Sequence, residues 1–283
     1  MMESINRTRP ADTIQKQSEL NDLIGRTQET IATGIKFNRP SEAPSSWLEI
    51  SSLGRQKTIE DSWLNNIGRA RILAQQAEST FDTISNGIVR TRELMVLANN
   101  ETLAPQDREV IALELESLQE QFNQLTQAKD SYGGQLFHSG DPIQIRIDTD
   151  ILLTPAPTQQ AVSQDIDIGG GATESLDQIM TNMIAAVRTG TPADRSQQLD
   201  RAESLTDHFS NLLASQGLMV NRLDEQEDRL ELSQLSFIER RSNLENTDIA
   251  EAISRFQSLL VNLEAAQRLY AQSERTSLIS LIG

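Results

Sequence analysis

The chain has 283 residues, of which 37% are hydrophobic and 4% aromatic, a share low for one spherical core of that length. Its 41 acidic residues against 25 basic ones leave a formal net charge of −16, and no basic patch offers itself to nucleic acid or an anionic membrane surface. There is no cysteine, which excludes disulfides and thiolate chemistry, and no apolar run reaches the roughly 18 residues that a membrane-spanning helix needs.

The start, Met1 to Asp12, lacks the apolar stretch of a cleavable leader, so a secreted product is expected to leave the cell by another route. Pro10 is expected to hold an extended arm ahead of a first helix from about Asp12 to Thr33, which stops at Gly34. Ile14, Leu20, Leu23, Ile24 and Ile31 give that helix a sparse apolar stripe. Asn38 to Pro44 then reads as a rigid elbow, with Pro40 and Pro44 bracketing Ser41.

From Ser45 a very long helix is expected. Trp63, Ile67, Ala70, Ala74, Ala77, Phe81, Ile84, Ile88 and Met95 fall on one four-three seam, interrupted by Thr91, as in supercoiled helices. Pro105 and Asp107 open another helix with the stripe Ile111, Leu115, Leu118, Phe122 and Leu125. Between about 131 and 171 the pattern changes. Glycines punctuate the chain, and Ile143, Ile145 and Ile147 alternate with polar residues as in a strand that runs until Pro155. A second short strand is expected around Asp165 to Ile168, followed by a loop at Gly169 to Gly171 that caps a helix starting near Thr173 and ending by Gly190 and Pro192.

A long final pair of segments carries Leu205, Phe209, Leu212, Met219, Leu223, Leu230 and Phe237, broken by Gln216, Gln226 and Ser233. Polar residues inside such a seam lower stability and fix register. After a pause at Asn243 to Asp248, a terminal helix places Ile249, Ile253, Phe256, Leu260, Leu263 and Tyr270 along a seam. Burying these few side chains offsets only part of the backbone entropy lost on ordering the helix, so each end of the chain is expected to need the other, and neighbouring subunits as well. The expected organisation is residues 1–37 and 246–283 pairing as an inner coiled-coil layer, disordered in the monomer, with 38–245 as an outer helical rod that carries a short β excursion at about 131–171. The fold class is mainly α, an elongated rod of long antiparallel helices with a small β tip.

No chemistry converges. His138 and His208 lie in different elements with no triad or metal-ligand spacing, and are expected to be solvated or to cap. The triple glycine lacks the residues of a phosphate loop, and Asp148, Asp150, Asp165 and Asp167 lack the frame of a calcium loop. Asp224, Glu225, Glu227, Asp228, Arg229 and Glu231 read as a solvated face. No catalytic residue, cofactor or metal ligand is assigned.

Several short motifs, in order, resemble the flagellin superfamily, and within it the hook-filament junction branch (hook-associated protein 3). The elbow from Gly34 through Lys36, Pro40, Ser41 and Glu42 to Pro44 is similar to that branch's glycine-lysine to proline-serine-acid-acid-proline segment, with Ile35 inserted and Glu42-Ala43 in place of two acids. Flagellins tend to carry an Asp-Asp-Ala-Ala-Gly run there, without the prolines. Arg90, Arg92, Glu93 and Leu94, followed by Asn99, Asn100, Asp107 and Arg108, resemble an arginine-glutamate-leucine segment shared by both. Tyr132, Gly133, Gly134, Leu136, Phe137 and Gly140 resemble a junction tip motif. Asn243, Leu244, Glu245, Asp248, Ala250 and Glu251 resemble a C-terminal motif, and Ser277, Leu278, Ile279 and Leu281 the final stretch. The resemblance implies a structural subunit with no enzymatic activity, exported unfolded through the flagellar type III channel with a chaperone and ordering on assembly. The implied partners are copies of itself, hook-associated protein 1 and flagellin, with neither nucleic acid nor membrane insertion. Arg90, Leu94 and Glu114 also match a flagellin surface patch read by innate receptors, with buried packing as the expected role of these residues. A small filament flagellin and a cytoplasmic coiled-coil adaptor are the rival readings.

Overall fold

A computed structural model of the chain describes the backbone of residues 10–282 and the side chains of residues 15–272. Its elements are α1 (Pro10–Thr33), α2 (Pro44–Ala98), α3 (Pro105–Thr126), β1 (Ile145–Arg146), β2 (Leu152–Leu153), α4 (Gln159–Ser163), β3 (Ile166–Asp167), β4 (Thr173–Glu174), α5 (Leu176–Thr189), α6 (Pro192–Glu245) and α7 (Ile249–Ile282). These group into two compact units, one of residues 1–57 with 234–283 and one of residues 58–233, so the division falls inside α2 and α6. None of the described helices is long and apolar enough to cross a membrane.

Proline and local capping set the helix starts. Pro10, Pro44, Pro105 and Pro192 each stand first in a helix, where the missing N–H would have had no intrahelical partner. Pro10 therefore begins α1 rather than holding an extended arm before it. At the start of α6, Thr191 Oγ1 accepts from the Asp194 N–H at 3.3 Å, while Asp194 Oδ2 accepts from the Thr191 N–H at 2.8 Å. This reciprocal box satisfies two N–H groups and holds the Asp194 carboxyl below its usual range.

In the 58–233 unit the α2 seam is the floor of the core. Ile67, Ala70, Ala74, Ala77, Phe81, Ile84, Ile88 and Met95 are all buried. Thr91 continues the seam; it too is buried, its hydroxyl donating to the Gly87 carbonyl at 3.0 Å. Phe81 stacks on Phe137, with ring centroids 5.3 Å apart, and meets the edge of Phe209 at 6.3 Å. Helices α3 and α5 lie antiparallel: Gln119 and Asn123, late in α3, donate to Asp177 at the start of α5, and Arg188 at its end pairs with Glu109 and Glu116 at 2.8 and 2.6 Å. That double pairing lifts the Arg188 pKa above its ordinary value and lowers that of Glu109.

The β region differs from expectation in three places. The strand expected to run from Ile143 to Pro155 is a hairpin of two-residue strands, with Ile145 opposite Leu153 and Arg146 opposite Leu152. Asp148 breaks the run by accepting from the Thr149 N–H at 2.6 Å, the local bond that favours a turn over a ladder. The triple glycine caps no helix. It closes a second hairpin, in which Ile166 faces Glu174, and all three glycines hold positive φ, open to residues without a Cβ. Thr173 accordingly belongs to β4, and α5 starts after Ser175, whose hydroxyl accepts from the Gln178 N–H at 3.1 Å. The short helix α4 carried too few residues to show a period.

The expected final pair of segments is α6, one helix of 54 residues, and its three polar breaks each have a partner. Gln216 is buried and donates to the carbonyls of Ala74 and Pro155 at 3.1 and 2.7 Å. Gln226 donates to Asp148 at 3.1 Å, and Ser233 to Glu60 at 3.1 Å. They act as register pins between α6, α2 and the β1–β2 hairpin. The acidic stretch expected to be a solvated face also does part of this: Arg71 of α2 pairs with Asp224 at 2.7 Å and with Glu227. Of the two expected roles His208 takes the capping one, its ring lying against a carbonyl in the last turn of α4. It is half-buried, its ring edge-on to Phe209 at 5.2 Å and its Nε2 3.3 Å from the Val162 carbonyl, and burial pulls its pKa down. His138 is exposed.

Candidate assembly interface

Helices α1 and α7 pack together in the unit formed by the two ends of the chain. Two backbone bonds past the end of α1 set their relation. Gly34, at φ +71°, turns the chain out of α1 after its N–H donates to the Thr30 carbonyl at 2.8 Å. Ile35 then bridges Asn246 in antiparallel sense, the Lys36 N–H donates to the Glu245 carbonyl at 2.7 Å, and the Thr247 N–H donates to the Gly34 carbonyl at 2.9 Å. The end of α1 therefore meets the start of α7, and the two helices run antiparallel.

Both sides of this small knot are held locally. In the elbow, Glu42 accepts from the Asn38 N–H at 3.0 Å and its own N–H donates to the Arg39 carbonyl at 3.0 Å, so the acid before Ala43 closes the turn around Pro40 and Ser41. At the other side Arg241 pairs with Glu245 at 2.9 Å, and Asp248 caps α7 by accepting from the Ala250 and Glu251 N–H groups at 2.9 and 3.2 Å. Replacing Asp248 with Ala removes both cap bonds and is expected to destabilise α7 by about 1 kcal/mol. A urea melt of the full chain followed by circular dichroism should show the first loss of helix at lower denaturant, with Asp248→Asn close to the parent. A groove of about 510 Å³ opens here between α1, the elbow and α7, lined by charges of both signs including Arg26, Glu29, Glu42, Glu251 and Arg255.

The α1 side of the seam is Leu20, Ile24, Thr27 and Ile31, all half-buried; Leu23 is more exposed, and Ile14 lies outside the residues whose side chains are described. The α7 side is Ala252, Phe256, Leu259, Leu263, Ala266 and Tyr270, in strict alternation of four and three. Of the expected seam residues, Phe256, Leu263 and Tyr270 face α1, whereas Ile249, Ile253 and Leu260 are 42, 41 and 43% exposed on a flank turned by roughly 80° at 100° per residue. Ala252, Leu259 and Ala266 were not singled out by sequence. Alanine carries little apolar weight in a stripe, yet its small side chain lets two helix backbones approach, and the repeat 252, 259, 266 is the signal that would have found it.

The remaining motif residues have separate structural duties. Leu94 is 2% exposed in the core, while Arg90 pairs with Glu114 at 2.7 Å and Glu93 at 3.1 Å on the surface and Arg92 is exposed. The three residues matched to the flagellin surface patch thus divide between core and surface. Gly133 and Gly134 form a turn whose N–H groups surround Asp130, with the Gly134 and Tyr132 N–H groups donating to Oδ1 at 2.8 Å each. This turn delivers Leu136 and Phe137 into the core beside Phe81, and Gly140 follows as an exposed residue. Leu244 is half-buried at the end of α6. The Ser277 to Leu281 side chains lie outside the described residues. Among the described residues no three His, Cys, Asp or Glu side chains are grouped as metal ligands would be.

Comparison with known proteins gives this architecture its family. The bacterial flagellin N-terminal helical region matches residues 8–140, and the bacterial flagellin C-terminal helical region matches residues 199–282. The flagellin of Halalkalibacterium halodurans is 21% identical over 280 residues, covering 96% of each chain. Among solved structures, a Vibrio parahaemolyticus protein assigned to the flagellar hook-associated proteins superposes with a TM-score of 0.65 at 19% identity, over 72% of this chain and 100% of its own. The flagellar hook-associated protein-3 of Legionella pneumophila gives 0.63 at 14% identity, over 69% and 98%. With α1 to α3 lying in the first matched region and most of α6 with α7 in the second, the chain belongs to the bacterial flagellin family of flagellar structural proteins.

Proposed function

We propose that this chain is the subunit that joins hook to filament, a structural and non-catalytic role. The observation that carries the reading is the pairing of this fold with the hook-associated structures, whose superposition takes in nearly their entire length; the resemblance of the proline-bracketed elbow to the junction type supports it. Hook-associated protein 1 on one side and flagellin on the other are the proposed neighbours, with a flagellar chaperone and the type III channel as the route outward. The terminal pair is the proposed contact between copies. Its inner seam is only half-buried, and Ile249, Ile253 and Leu260 form an apolar flank that a neighbouring copy can cover. In this reading the ends gain order as copies stack, which keeps the subunit transportable before assembly.

Electron microscopy of a strain lacking the gene tests this directly. Hooks without filaments, restored by the gene in trans, are the expected outcome. A filament flagellin is the second reading, favoured by the full-length match to the Halalkalibacterium protein. It requires the purified chain to polymerise into long filaments, whereas a junction subunit stops at short layers.

A further inference from the structure

The β1–β2 hairpin closes over the part of the core formed by Ile67, Ala70, Leu223 and Leu230, into which it inserts Ile147 and Leu153. Two polar bonds seat it: Asn66 of α2 donates to the Arg146 carbonyl at 2.7 Å, and Gln226 of α6 donates to Asp148 at 3.1 Å. The hairpin's Asp148 and the Glu60 carboxyl, on a residue of α2 only 5% exposed, are bonded to Gln226 and Ser233, two turns apart on α6, and the Asp148 charge is felt at Glu60. One oxygen of Glu60 accepts from Ser233; the other is buried with no hydrogen-bond partner. An ionised carboxylate so placed is short of bonds and faces a second negative charge.

We propose that the β1–β2 hairpin is an acid-tightened flap, seated on α2 and α6 across the Glu60 and Asp148 carboxyl groups. A proton from solvent taken up by Glu60 removes one of the two facing charges and gives the orphaned oxygen a donor's role. Burial is the largest cause raising the Glu60 pKa from its ordinary 4.5, and the Asp148 and Asp61 charges add to it against the Ser233 bond. The sign follows from linkage: a carboxyl that holds its proton more tightly in the folded state contributes stability at low pH that is lost as pH rises through its raised value. On α2 the charged neighbours along the helix are Asp61 and, one turn earlier, Lys57; on the hairpin the charge is Asp148; from α6 the groups are the uncharged Ser233 and Gln226. Arg71, Asp224 and Glu227 are occupied with one another, and Arg146 donates to the Thr149 carbonyl.

Hydrogen exchange of the full-length chain across a pH series tests the flap, read as protection factors at Ile145, Ile147 and Leu153. Protection there should rise several-fold on acidification while α3 and α5 amides stay level, and Glu60→Gln should show high protection with no pH slope. Asp148→Asn should flatten the slope in the parent background. A parent slope shared equally by α3 and α5, or an unchanged slope in Glu60→Gln, overturns the proposal.

Discussion

A chain ending before residue 249 should be exported and found in the medium, yet absent from sheared flagella, with its 58–233 unit still unfolding cooperatively. The reason lies in what α7 supplies. Among the described residues, the apolar surface that Leu20, Ile24 and Ile31 of α1 meet is made by Ala252, Phe256, Leu259, Leu263, Ala266 and Tyr270. Without it α1 would have to hold helix in water from a stripe of few large residues among Gln, Thr and Asn, and would lose the packed apolar face from which most helical stability in proteins comes. Among the described residues, the cores around Phe81 and around Ile67 draw none from 249 onward and should be untouched. Immunoblots of flagellar and medium fractions, with a denaturant melt of the purified truncation, separate these outcomes. Ordinary amounts of the truncated chain in flagella would remove the terminal pair from the assembly mechanism.

The largest single-residue effect should come from Phe81→Ala. Phe81 has no exposed surface, stacks on Phe137 and meets the edge of Phe209, so it ties α2 to the turn after α3 and to α6. Removing a buried phenyl ring from such a place destabilises by about 3–5 kcal/mol through lost transfer energy and the cavity left behind. Against the roughly 5–15 kcal/mol of a typical domain, that is a large fraction. The urea midpoint of the 58–233 transition should fall accordingly, and Val89→Ala, on the same helix but 53% exposed, should change it by no more than about 0.5 kcal/mol. Equal midpoints for the two variants would mean that the ring cluster does not hold these elements together.

Period alone located the long helices. Ile67 to Met95 repeats at four and three for many turns, and the stripe of α3 from Ile111 to Phe122 is equally regular, so their faces were legible without a partner. Prolines at 44, 105 and 192 and glycines at 34 and 190 marked the ends because their backbone constraints are local. The motifs of the elbow, the Gly133 turn and the Glu245 to Asp248 segment pointed to the flagellin family as well. What they could not convey was their purpose as one knot, since the Lys36 to Glu245 and Thr247 to Gly34 bonds join residues more than two hundred positions apart.

Amphipathic repetition, helix ends and charge are properties of neighbours along the chain, and amino-acid order by itself determined them here. Folding alone decided which flank of α7 turns inward, because Ala252 and Ala266 admit a close backbone while Ile249, Ile253 and Leu260 do not single out one side. It also decided which partners the register-fixing Gln216, Gln226 and Ser233 take, and that Asp148 and the triple glycine make hairpins. Each of those outcomes depends on a partner distant in sequence, and a hydrogen bond or a packed face has no energy until that partner arrives.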